Sequence, residues 1–121
     1  MRDLLIALTV LGFIVYQVYF DKNNMGFVSA APLYSGKYVE VYGKKDDIAT
    51  EAMMRYLDDA GVNFNYVRLE KQENWEFISK RLKNAGDERH HWDLPIVDIN
   101  GQITTNPDPD KIIVKYLNAS S

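Results

Sequence analysis

Residues 38–69 read YVEVYGKKDDIATEAMMRYLDDAGVNFNYVRL, and the fold turns on how this stretch divides. Tyr38 to Tyr42 alternates, with Val39 and Val41 on one face, and is rich in residues that suit a pleated surface, so it reads as a strand. Asp47 can accept the unpaired N–H groups of a helix start. After it Ile48, Ala52, Met53, Tyr56 and Leu57 recur at helical spacing, and Gly61 is a natural stop beyond the last turn. Val62 to Leu69 alternates again as a second strand. Strand, helix and strand in that order form a parallel pair joined by a right-handed crossover.

Outward toward the C-terminus the pattern continues. Asn74 is the expected cap of a second helix, with Trp75, Ile78, Leu82 and Ala85 on one stripe and Gly86 beyond its end. A polar stretch, Asp87 to Asp93, leads to Leu94-Pro95. Ile96 to Ile99 and Gln102 to Thr105 flank Asn100-Gly101, a strong hairpin signal because both turn residues tolerate positive φ. Asp108 caps a last helix with Pro109 at its first position, and Ile112, Ile113, Tyr116 and Leu117 are expected on its buried face. The order β-α-β-α-β-β-α predicts an α/β domain: one mixed four-stranded sheet with three flanking helices. No internal repeat is present.

Toward the N-terminus, Leu4 to Phe20 carries no formal charge, with Arg2 before it and Asp21 and Lys22 after it. As a helix rising about 1.5 Å per residue it spans roughly 25 Å, close to the hydrocarbon thickness of a bilayer. Tyr16, Tyr19 and Phe20 gather at one end, where amphipathic rings favour the membrane interface. The stretch reads as an N-terminal hydrophobic helix over residues 1–20 that anchors the chain in a membrane by a single pass. A secretory signal cleaved near Val28-Ser29-Ala30 is the alternative, and a buried core helix a third. Residues 21–36 hold Asn, Gly, Ser and Pro without a period and read as a linker to a domain at 37–121. That domain is expected on the periplasmic or extracytoplasmic side, although the few flanking basic residues do not orient the span by themselves.

Composition removes several function classes. Of 121 residues, 14 are Lys or Arg and 17 Asp or Glu, a net charge of -3, so there is no cationic excess to neutralise a phosphate backbone and no nucleic-acid partner is expected. Cysteine is absent altogether. Disulfides, cysteine zinc sites and thiolate nucleophiles are therefore impossible within the chain.

The order of elements resembles the thioredoxin fold in its short form, and local residues resemble the glutaredoxin family. Tyr42-Gly43-Lys44 and Gly61-Val62-Asn63-Phe64 match the two ends of that family's first strand-loop-helix unit. Asp93-Leu94-Pro95 is similar to its Thr-Val-Pro, whose proline is cis, and Thr105-Asn106-Pro107-Asp108 to its Gly-Gly-x-Asp segment. The resemblance spans roughly residues 37–117. It implies that the positions of the redox motif Cys-Pro-Tyr-Cys fall on Asp47, Ile48, Ala49 and Thr50, with both sulfurs gone. Thiol-disulfide exchange needs a sulfur able to form a mixed disulfide, so that chemistry is excluded and no catalytic residue is assigned. What the resemblance leaves is a groove. Lys44 matches the lysine that meets glutathione's carboxylate, Leu94 the backbone clamp and Pro95 the cis proline, while Asn106 and Asp108 fall near the last binding element.

The expected function is a membrane-tethered, non-redox binding or scaffolding module with a protein partner and no cofactor. The alternative is a glutathione- or peptide-binding protein, or an enzyme-associated subunit, that keeps the groove. Against glutathione, Asp46 and Asp47 place negative charge where a thiolate would sit, and Thr105-Asn106 replaces a glycine pair that admits close backbone approach. The same residues also serve simply as caps and turns. His90 and His91 lie among Asp87, Glu88 and Asp93 without metal-ligand spacing, and no metal is expected. Trp92 is a partner-contact candidate if it does not fold back onto the core. No serine stands in a nucleophile turn.

Overall fold

A computed structural model describes residues 26–119, so the apolar run at 4–20 and its expected role as an anchor lie outside the described residues. Among the described residues no helix is long and apolar enough to cross a membrane. Five strands and three helices follow in order: β1 (Val28–Ser29), β2 (Val39–Gly43), α1 (Ile48–Asp59), β3 (Asn65–Arg68), α2 (Gln72–Asn84), β4 (Ile96–Ile99), β5 (Gln102–Thr105) and α3 (Pro109–Asn118). They build one mixed sheet in the order β1-β5-β4-β2-β3. β2 and β3 run parallel, and β2–β4, β4–β5 and β1–β5 are antiparallel.

The sheet thus has five strands where the sequence predicts four. The added one comes from the stretch expected to be a linker. Its two residues are too short to show alternation, yet they pair Val28 with Ile103 and Ser29 with Gln102 and so cover the edge of β5. Ala30 continues the contact by donating its N–H to Gly101 O at 2.7 Å. A Cβ on Gly101 would collide with the Ala30 carbonyl, so the Asn-Gly turn serves this crossing as well as the hairpin, with φ of 53° and 93° at its two residues.

Side chains of β2 and β4 alternate between two cores. Val39, Val41, Val97 and Ile99 meet Met53 and Leu57 of α1 and Ile112 of α3 on one face. Tyr42, Ile96 and Ile103 meet Ile78 and Leu82 of α2 on the other, together with Trp92. Trp92 is buried against Trp75, with ring centroids 5.9 Å apart, so it folds back onto the core.

Three local expectations need correction. β3 starts at Asn65 rather than Val62. The Gly61 N–H bonds Asp58 O at 3.0 Å and the Val62 N–H bonds Leu57 O at 2.9 Å, a left-handed helix stop that turns Val62 into the core before the strand can begin. α2 begins at Gln72 with Lys71 at its cap position and no side-chain cap, while Asn74 donates its side-chain amide to Arg68 O at 2.9 Å. The buried stripes are also narrower than the apolar positions: Ile48, Tyr56 and Leu117 are exposed.

Candidate functional site

The register brings the resemblance-based residues to one end of the sheet. Tyr42 stands opposite Ile96, so the next step sets Gly43 beside Pro95, and the Leu94-Pro95 peptide is cis. Ile96 stands opposite Thr105, and beyond that pair the Asn106 N–H donates to Pro95 O at 2.7 Å. Asn106 holds φ at 43°, the left-handed conformation that asparagine tolerates better than most side chains. It therefore adopts a glycine-like backbone at the position where the resemblance expects glycine.

Gly43 leads into the turn of Lys44 to Asp46, closed by the Asp47 N–H on Lys44 O at 3.1 Å, and α1 starts at this same end. Asp47 is its N-cap, as the sequence predicts. Oδ2 accepts the Thr50 backbone N–H at 2.8 Å and the Thr50 hydroxyl at 2.7 Å. Thr50 is fully buried, and a Cβ on Gly43 would collide with its Oγ1 and Cγ2. The absent glycine side chain is what lets Thr50 dock under the strand end. Between these two buried groups Ile48 is 85% exposed.

Lys44 and Lys45 are exposed on the rim. The Lys45 N–H donates to Glu70 Oε2 at 3.0 Å, and that bond holds the Glu70 carboxyl below its ordinary pKa. Asp108 caps α3 by accepting the Asp110 N–H at 3.0 Å, so its carboxylate is committed to its own helix. The sequence reading missed Arg89. Its guanidinium forks onto Asp87, with Nη2 to Oδ2 at 2.6 Å and Nε to Oδ1 at 2.9 Å, and Nη2 reaches Thr105 Oγ1 at 3.4 Å, one residue from Asn106. The hydrogen bonds from Arg89 hold Asp87 at about 2. An Asp-x-Arg pair flanking a helix stop was the available signal.

A second polar cluster lies inside the sheet. Glu40 and Asp98, direct cross-strand partners on β2 and β4, are both buried. Glu40 accepts the Tyr34 and Tyr42 hydroxyls at 2.7 and 2.6 Å. Asp98 accepts the Tyr38 hydroxyl at 3.0 Å, Arg81 Nη1 at 2.7 Å and the Gly101 N–H at 2.8 Å. Burial pushes Tyr38 up to about 12 and raises Tyr42 further, so both phenols stay protonated as donors. Burial also raises Asp98 above the ordinary aspartate value. Every carboxylate oxygen here has a partner within the protein, which makes the cluster a fastening rather than a reaction centre.

Chemically, the sheet end holds no sulfur that could form a mixed disulfide. It offers an exposed aliphatic side chain, cations from two loops and a capped carboxylate, and the chain has no sulfur other than methionine. Among the described residues no three His, Asp or Glu side chains gather closely enough to hold a metal ion, and the exposed His91 reaches only Asp93, at 3.7 Å.

No protein-family model matches the sequence, and no curated protein matches it. The structure is similar to that of the glutaredoxin-like protein NrdH-redoxin from Escherichia coli, with a TM-score of 0.50 and 18% identity, covering 69% of this chain and 99% of that one. It is also similar to a glutaredoxin from Archaeoglobus fulgidus, with a TM-score of 0.53 and 16% identity, covering 70% of this chain and 90% of that one. The protein has the thioredoxin-like fold in its glutaredoxin form, built from a chain without cysteine.

Proposed function

We propose that the protein is a membrane-tethered, non-redox binding module that uses the sheet end around Ile48, Pro95 and Asn106 to hold a protein partner. The observation that carries this reading is the pairing of Asp47 with Thr50. At a helix start where thiol chemistry would need a free thiolate, one carboxylate oxygen is occupied by its own helix at 2.8 and 2.7 Å. Beside it Ile48 is 85% exposed and so is available to a partner. The tether is the apolar run at 4–20, supported by its length and aromatic end.

The test uses the full chain in detergent. A partner that co-purifies from solubilised membranes is lost with Ile48→Asp, which alters an exposed side chain and leaves thermal unfolding unchanged. Titration with glutathione in a calorimeter gives no heat. Glutathione heat abolished by Lys44→Ala would instead establish the glutathione-binding alternative.

A further inference from the structure

The edge strand determines where the chain enters the domain. β1 runs antiparallel to β5, Val28 opposite Ile103 and Ser29 opposite Gln102. Followed backwards, the chain passes Thr104, whose Oγ1 lies 3.2 Å from where a Cβ on Gly26 would stand. Thr104 precedes Thr105 and Asn106, and Asn106 is bonded to Pro95. The chain therefore arrives at the end of the sheet that carries the candidate site. Pro95 and Gly43 are two and three strands from β1 in the sheet order, a span of about 10–15 Å at the usual strand spacing.

The segment after Gly26 has no slack. Phe27 packs against the core with Lys115 Nζ 5.1 Å above its ring, Ala30 is bonded to Gly101, and Arg81 Nη2 donates to Ala31 O at 2.8 Å. Residues 21–25 separate the apolar run from Gly26. Even fully extended, the chain from Phe20 to Gly26 reaches no farther than about 20 Å.

We propose that the Ile48–Pro95 end of the sheet faces the bilayer, and that its ligand is the membrane-adjoining polypeptide segment of an integral membrane protein. The proposal rests on the tether reading above. Charge favours a polypeptide over lipid headgroups: Lys44, Lys45 and Arg89 at this end are offset by Asp46, Asp47 and Asp108, so no cationic excess is available for an anionic surface. Ile48 supplies the apolar contact that a peptide side chain can use.

Because the chain has no cysteine, one introduced thiol is a unique label. Ile48→Cys and Ser35→Cys, the latter at the opposite end of the sheet, are each labelled with bimane. The full chain is then reconstituted in phosphatidylcholine vesicles containing headgroup-spin-labelled lipid. The label at 48 is expected to be quenched several-fold more than the label at 35. Equal quenching, or stronger quenching at 35, overturns the orientation. Quenching at neither site, with the chain stripped from vesicles by alkaline carbonate, defeats the tether itself and is thereby distinguished. In native membranes, benzophenone attached at position 48 is expected to give adducts that resist carbonate extraction and run at protein mass. Adducts to lipid or to soluble protein overturn the assigned ligand.

Discussion

Asp47 accepts two hydrogen bonds from Thr50 through Oδ2, and this local arrangement makes its contribution measurable. Asp47→Ala should lower stability by about 1 kcal/mol and Asp47→Asn by much less, read from urea midpoints. Asp87 gives a pH signature. With Arg89 forked onto it, its native carboxyl sits at about 2. As the pH falls from about 4 toward about 2, the unfolded chain takes up a proton that the native one does not, so stability drops across that window and is flat above it. Asp87→Asn should remove about 1 kcal/mol near neutral pH, a modest figure because the Arg89 side chain is 53% exposed. The two proteins should converge in stability near pH 2. Asp47 and Asp108 were legible as caps because a cap depends on the next few residues alone. Arg89 was not, since its contact with Thr105 spans the chain from loop to strand end.

Among the elements, the segment from Phe27 to Tyr38 is the one that sequence pattern hides. A two-residue strand has no period, and what holds the segment is mostly distant partners: Gly101 for Ala30, Arg81 for Ala31 and the buried Asp98 for Tyr38, with the nearer Glu40 taking the Tyr34 hydroxyl. The alternation of β2 is plain in Val39 and Val41, whereas the face of Glu40 is not. Glu40 faces the second core with a carboxylate, a placement that becomes intelligible only once Tyr34 and Tyr42 are seen to supply its hydrogen bonds. Arg81→Ala should destabilise by about 3–5 kcal/mol at pH 7, because Asp98 is then left buried without its cation. Burial already raises the Asp98 carboxyl, and losing Arg81 raises it further. The neutral acid needs no cation, so the deficit should shrink as the pH falls through that native value. Hydrogen exchange at the Ala30 and Leu33 amides should quicken in the same variant. Unchanged protection there would show that Arg81 does not fasten the segment.

For the molecule as a whole, the strand-helix-strand unit, the hairpin and the last helix were all readable from local signals, and the sheet order follows from them by handedness and short connections. What could not be read was the fifth strand, which long-range packing sets; the folding of Trp92 back onto the core was one of the two outcomes the sequence offered, and it is the one found. The central claim is that the protein has the glutaredoxin-type fold without cysteine, with the start of α1 set against the Gly43 strand end and the cis Pro95 beside it. Asp47 and Thr50 already bring their side-chain ends within 2.7 Å, and the helix start offers the field that lowers a thiol pKa. The most direct measurement is on the full chain carrying Asp47→Cys and Thr50→Cys. The expected result is an internal disulfide on mild oxidation and, once reduced, a thiol at 47 titrating well below the ordinary value of about 8.5 and exchanging with glutathione disulfide. Two thiols that stay free under oxidation and titrate at that ordinary value would contradict it.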